Sequence, residues 1–220
     1  MKKSIIFAAS LTFMAFTLTI SAQDPFEDVT LTSENEYKRF DIAFDKMIPD
    51  EDGDADAWNG FAMEYMTGKP ISTTMPIYYE IGMRGQFNWL SDSESVYGES
   101  LDITQSFGAV SVPLNILYKI SIPGSALKLA PYAGVYGRFN LIGKLKMKYD
   151  GESETIRFFD KDDMGGRDYT WGRFQVGYQL GVNVELPSSW ILGFQYQCDL
   201  SEILEDSKLT HLMFSIGTTF

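Results

Sequence analysis

The chain holds one cysteine, Cys198, and one histidine, His211. A lone cysteine excludes an intrachain disulfide and any zinc site built on cysteines. A lone histidine excludes a multi-histidine metal centre and leaves little for a His-based triad. Positive charge is scarce too: 18 Lys and Arg stand against 30 Asp and Glu, a net charge of −12 in 220 residues. Nucleic-acid phosphates need a cationic face, so that partner is excluded. Beyond Ile20 no stretch of about 18 apolar residues occurs, so the rest of the chain offers no transmembrane helix. None of these residues implies a cofactor.

What is present begins with an address. Lys2 and Lys3 precede an apolar stretch from Ile5 to Ile20, and Ser21-Ala22 supply small residues before Gln23-Asp24-Pro25. This is the layout of a secretory signal peptide over residues 1–22, cut after Ala22. Gln23, not cysteine, directly follows the expected cut, so a lipid anchor at this point is excluded. Loss of Lys2 and Lys3 leaves 16 cationic against 30 acidic residues, a net of −14. Residues 23–36 read as a short N-terminal segment, and residues 37–220 as one domain.

That domain is patterned with period two. From Phe174 to Leu186 every even position is apolar and every odd position is polar or Gly, which fits a strand with one apolar face. The same alternation runs through Trp190–Leu200, His211–Phe220, Ile77–Trp89, Val110–Ile122 and Tyr132–Leu141, and more weakly near Lys38–Ile48 and Trp58–Thr67. Eight strands is an even number, as in bacterial transmembrane barrels. Pro113 troubles a central strand because it cannot donate to the ladder. A bulge there, or a strand end above the membrane, would accommodate it.

Several features predict that the apolar face points outward, to lipid. The polar face is Gly, Gln, Asn and Ser with few charges, suited to a crowded narrow lumen rather than to bulk water. Connections alternate in length: short near Gly68–Thr74, Pro123–Ala126 and Pro187–Ser189, long near Pro49–Ala57, Ser91–Ser100, Tyr149–Thr170 and Ser201–Lys208. Short periplasmic turns and long outer loops are the pattern of outer-membrane barrels. The four long loops carry the whole acidic excess of the mature chain. All four tryptophans fall at strand ends. Trp58, Trp89 and Trp171 are expected at the outer membrane boundary and Trp190 at the inner one, forming an interface girdle. The terminal Phe220 resembles the aromatic assembly signal read by the outer-membrane assembly machinery.

The pattern resembles the PorT-like, porin-like family of small outer-membrane β-barrel proteins. The likeness lies in Val112-Pro113-Leu114-Asn115-Ile116-Leu117-Tyr118-Lys119 and Ala130-Pro131-Tyr132-Ala133-Gly134-Val135-Tyr136. It continues in Gly177-Tyr178-Gln179-Leu180-Gly181-Val182-Asn183-Val184 and Leu192-Gly193-Phe194-Gln195-Tyr196, about half the mature chain in all. The resemblance implies an eight-stranded, monomeric barrel and carries over no functional residue.

Candidate chemistry is sparse. The polar face places Asp41, Glu64, Glu80, Arg84, Lys119, Arg138, Glu185 and Asp199 in the lumen, where isolated charges are costly and should pair. An eight-stranded lumen is just wide enough for side chains, so a charge network that plugs it is expected over an open conduit. Asp50–Asp56 resembles a calcium loop, but Ala57 and Met63 stand where an EF-hand needs Gly and Glu, so that reading fails. His211 lies about 13 Å along its strand from Ser215, too far for a direct bond, which speaks against catalysis. Arg157-Phe158-Phe159 and Asp162–Tyr169 form a long-loop cluster with two readings, a recognition surface or, more plainly, packing within the loop itself.

The expected protein is thus an eight-stranded antiparallel transmembrane β-barrel preceded by a signal peptide, resident in the cell outer membrane. Its partners are outer-membrane lipid and a surface ligand met by acidic outer loops, and it is not an enzyme. The alternative is a secreted, lipocalin-like barrel whose apolar face lines a ligand cavity.

Overall fold

The computed structural model describes residues 36–50, 56–72, 74–96, 99–149, 152–164, 170–203 and 207–220. The signal peptide, most of the N-terminal segment and the acidic stretch 51–55 lie outside them. The elements are β1 (Tyr37–Asp50), β2 (Trp58–Pro70), β3 (Ile77–Val96), β4 (Glu99–Tyr118), β5 (Ile120–Ser121), β6 (Lys128–Tyr149), β7 (Glu152–Arg157), β8 (Phe174–Glu185), β9 (Trp190–Asp199) and β10 (Lys208–Thr219). No helix of the described residues is long and apolar enough to cross a membrane.

Eight strands close a ring in the order β1-β2-β3-β4-β6-β8-β9-β10, with every neighbour antiparallel. The seam is the first strand against the last: Arg39 pairs with Thr219 and Asp50 with Lys208. The two-residue β5 and the six-residue β7 both pair with β6 and stand outside the ring. Each of the eight regions that alternates in sequence is one ring strand.

The faces sort as the alternation requires. Val176 and Leu180 are 42% and 43% exposed, whereas Gln175 and Gln179, each immediately before one of them, are fully buried. Phe40, Ile42, Phe44, Met83, Leu114, Ile116, Val135 and Phe214 likewise point outward. A soluble barrel would reverse this, because exposed apolar area is costly in water. Two tyrosines show how the narrow lumen is filled. Tyr132 and Tyr136 on β6 lie over Gly181 and Gly177, their register partners on β8, in the space a Cβ would take.

Two features depart from the sequence reading. Pro113 sits mid-strand without a bulge of its own. Instead the ladder to β3 passes from Ile81–Leu114 directly to Arg84–Ser111, so Pro113 falls where β3 and β4 do not pair. The irregularity on β6 lies elsewhere: Gly108 pairs with Ile142 but Ala109 with Asn140, leaving Leu141 as an extra residue. Such a bulge flips the alternation beyond it. Leu141 and Ile142 both face outward, and Lys144, Lys146 and Lys148 follow on the outer side.

The second departure concerns the predicted long loops near Ser91–Ser100 and Tyr149–Thr170. Each holds strand. β3 and β4 stay paired up to Val96–Glu99, and β7 pairs with the end of β6. A spanning strand needs about 9–11 residues. β3 and β4 have 20 each and β6 has 22, so roughly half of each projects beyond the membrane as a sheet. Ser and Thr pairs such as Ser91–Thr104 keep this sheet regular where no core holds it.

Ring closure generates a testable outcome. A Cβ on Gly181 would meet the Tyr132 ring and come within 2.7 Å of the Phe194 carbonyl oxygen. Gly181→Val is expected to abolish the heat-modifiable, compact band of the detergent-extracted protein on gels, while Leu180→Val, on the outer face, keeps it.

Candidate functional site

The lumen gathers the buried polar and charged side chains, and it is built in tiers. Short turns at 71–76, 122–127 and 186–189 mark one rim, where the strand of Tyr37 begins and that of Thr219 ends; by the length rule this rim is periplasmic. At this rim Lys69, near the end of β2, pairs with Glu36 at 2.9 Å.

At the lumen's periplasmic end, Lys119 Nζ meets Glu185 at 2.5 Å and lies 3.8 Å over the Tyr37 ring. The Tyr37 hydroxyl donates to Glu80 at 2.7 Å. Above it, Arg39 reaches Asp41 at 2.8 Å, Glu64 at 2.7 Å and Glu80 at 3.5 Å. Arg84 pairs with Glu64 as well, and donates to Gln195 at 3.0 Å and Gln179 at 3.3 Å. Gln179 Oε1 also accepts from Gln195 and Gln197, and its amide donates to Asn115 at 2.5 Å.

The upper tier centres on Arg138 and His211, both fully buried. Arg138 pairs with Asp199, which also accepts from the Tyr136 hydroxyl at 2.6 Å. One ring nitrogen of His211 lies 3.0 Å from Arg138 Nη1, and the other 3.1 Å from both Asp45 oxygens. Asn88 donates to Asp45 at 2.9 Å. Both imidazole nitrogens are therefore engaged, and neither faces a hydroxyl. Among the described residues the arrangement ties His211 to Arg138 and Asp45 and orders the lumen.

Above this tier Met47, Trp58, Phe107, Phe158, Ile203 and Leu209 form a buried apolar cap, with Trp171 packed against it. Phe158 stacks on Trp171 with ring centroids 4.4 Å apart. Below the cap the space left is small. A cavity of about 20 Å³, bordered by Arg39, Asp41, Glu64 and Arg84, has room for one water. With the apolar side chains on the outside of the ring and charged ones lining this cavity, the lipocalin-like alternative is not favoured.

Every charge assigned to the lumen from sequence does point inward: Glu80, Arg84, Lys119, Arg138, Glu185 and Asp199, with Asp41 and Glu64. They do not form one cluster, since Lys119 and Glu185 sit at the lower rim and Arg138 and Asp199 near the cap. Arg39 and Asp45 escaped the reading, although Arg39-Phe40-Asp41-Ile42-Ala43-Phe44-Asp45 alternates and gave the signal.

The tryptophan girdle needs correction. Trp58 is 4% exposed and inward, because it shares the parity of Ala62 and Glu64 on β2, and Trp171 turns into the same cap. Trp89 and Trp190 are the two that face outward, 40% and 49% exposed. Of the two readings of Arg157-Phe158-Phe159, the structure shows packing for both phenylalanines. Phe158 is buried in the cap, and Phe159 packs edge-on to Trp171 beneath Arg173. Residues 165–169 of that loop and Asp52 and Asp54 of the acidic loop lie outside the described residues. Phe220 exchanges backbone hydrogen bonds with Lys38, at 2.9 and 3.0 Å, at the seam.

A closed antiparallel ring with its apolar face outward and its ions inside is a transmembrane β-barrel. The outer membrane protein beta-barrel domain family matches residues 7–218, and the chain belongs to that family of small outer-membrane barrels. The protein accordingly resides in the outer membrane, embedded in its lipid. Comparison with the curated proteins found no match. Among solved structures, the chain is similar to Ail, the attachment invasion locus protein of Yersinia pestis, in complex with the heparin analogue sucrose octasulfate. That likeness has 19% identity, covers 84% of this chain and 99% of that one, and has a TM-score of 0.44. It is also similar to Neisserial surface protein A, at 14% identity, 84% and 97% coverage and a TM-score of 0.43. The translocator domain of the autotransporter NalP from Neisseria meningitidis aligns at 10% identity over 99% of this chain and 97% of that one, with a TM-score of 0.33. At these scores the likenesses add nothing to what the closed ring shows by itself.

The lumen ions yield a stability test. Asp199→Asn leaves Arg138 buried without its carboxylate, and breaking such a pair costs about 3–5 kcal/mol. The double variant Arg138→Met/Asp199→Leu, which removes both charges, is expected to lose less. Urea unfolding of the barrel in detergent micelles measures both.

Proposed function

We propose that this protein is a closed-lumen barrel whose work is done at the cell surface by the sheet and loops above the membrane. The observation that carries the reading is the contrast between the two ends. One ends in short turns, while at the other β3, β4 and β6 project roughly ten residues past what a membrane needs. The extra strand length would be idle in a purely structural plug, and loops on a rigid scaffold are where binding residues are carried. The inward side of the projecting sheet holds Leu145, Met147 and Ile156 beside Asp92 and Glu154, a mixed acidic and apolar face.

Within its family we place the chain among the PorT-like members, on the Val112–Lys119, Ala130–Tyr136, Gly177–Val184 and Leu192–Tyr196 segments. It is a monomer and not an enzyme, a reading supported by His211 having both ring nitrogens engaged, by Asp45 and by Arg138. Residues 1–22 deliver it across the inner membrane, and Phe220 is read by the assembly machinery. Trp89 and Trp190 anchor the two interfaces. The lumen ions stabilise the ring rather than conduct.

Two measurements test this. Purified protein in planar bilayers is expected to show no discrete conductance; reproducible steps of fixed size would refute the closed lumen. Protease added to intact cells is expected to cut within the projecting sheet, between residues 90 and 164, and to leave the spanning remainder. A protein resistant at the cell surface would refute the display reading.

A further inference from the structure

The outer face of the projecting sheet carries a cationic cluster in an otherwise acidic protein. The bulge at Leu141 turns Lys144, Lys146 and Lys148 outward, and Arg157 on β7 stands directly across from Lys144. All four are exposed. Alternate residues of a strand lie about 7 Å apart, and cross-strand partners about 5 Å apart. Like charges at that spacing repel, and among the described residues none of the four has an ion-pair partner. Their neighbours on the same face are the hydroxyls of Thr155 and Ser153 on β7 and of Thr104 and Ser106 on β4, with one carboxylate, Asp102, across from Lys148 at the far end. Cations spaced in this way among hydroxyls bind phosphate oxygens well.

Immediately below lies a groove of about 280 Å³ in the lipid-facing wall, with Phe61, Met63, Phe87 and Leu141 around a floor that includes Gly85 and Gly108. The groove exists because these two glycines, on adjacent strands, put no side chain into the belt; a Cβ on Gly85 would meet nothing within 4 Å. Ile142 lines it, and Lys144 is the next residue on the same face. The groove thus opens to hydrocarbon and its upper end meets the cations. A slot for an acyl chain and a seat for phosphates are stacked along one wall, at the outer-leaflet boundary.

We propose that this wall binds one phosphorylated lipid of the outer leaflet, an acyl chain in the Gly85–Gly108 groove and its headgroup phosphates on Lys144, Lys146, Lys148 and Arg157. Two or more phosphates on one headgroup match cations spread over three strand positions better than a single phosphate does. The site rests on the membrane embedding of the barrel and not on the display of a surface ligand, so either can fail without the other.

The experiment uses the full mature chain in detergent micelles, with diphosphoryl lipid A as probe and native mass spectrometry as readout. One lipid per barrel is expected, with affinity falling as salt rises. The variant Lys144→Gln/Lys146→Gln/Lys148→Gln is expected to bind on the order of a hundredfold more weakly, at roughly fivefold per cation near an anionic surface. Gly85→Phe is expected to weaken lipid A binding by filling the groove while leaving the weak binding of free pyrophosphate unchanged. Heat-modifiable migration establishes that each variant is folded. Undiminished lipid A binding in either variant overturns the proposal. Equal binding of dephosphorylated lipid A overturns it too, as does pyrophosphate binding as tight as lipid A, which would mark a free-phosphate site. A dimer of the native chain that Gly85→Phe dissociates would assign the groove to a second copy instead.

Discussion

Everything in this molecule depends on the impossibility of leaving a backbone N–H or C=O unpaired in hydrocarbon. Each such group costs several kcal/mol, so a sheet can sit in lipid only with no edge. The seam between β1 and β10 meets that condition. Its twelve register pairs join the two ends of the domain, and Phe220 adds its own bonds to Lys38. Once the ring is closed, the period-two alternation has one solution: apolar side chains to lipid, polar ones to the axis. The departures follow the same rule. Pro113, which has no donor to offer, falls where β3 and β4 are not paired.

Closure creates a second problem, which the lumen side chains solve. A narrow ring brings side chains from all eight strands together, and water is nearly excluded. Charges in such a place are tolerable only in pairs with most of their bonds satisfied. Arg39 therefore serves three carboxylates and Arg138 serves Asp199 and His211. Where a partner strand offers Gly, as at Gly177 and Gly181, a tyrosine from the neighbour fills the gap and carries its hydroxyl to Asp199 or Gln195.

Much of this was legible in the chain because alternation is a local signal with a global meaning. Phe174–Leu186 reads as a lipid-facing strand on its own, and the parity of Glu80 or Arg138 tells which way each points. Register is not local, so nothing in the sequence could say that His211 would meet Asp45 and Arg138, which lie 166 and 73 residues away. Position in a strand also misled. Trp58 stands at a strand end, where an interface ring is expected, yet its parity with Glu64 sends it inward. The lysines after Leu141 were hidden for a related reason: a single extra residue in β6 reverses which face they occupy, and only the paired strand reveals it.

Arg84 on β3 donates to Gln195 on β9, and these strands stand on opposite sides of the ring. Such a bond acts as a strut across the diameter. Squeezing the cylinder toward an ellipse would stretch it in one direction or crush it in the other, so lateral pressure from the surrounding bilayer meets a stiff tube. Stiffness of this kind gives the projecting sheet a base whose cross-section holds its shape.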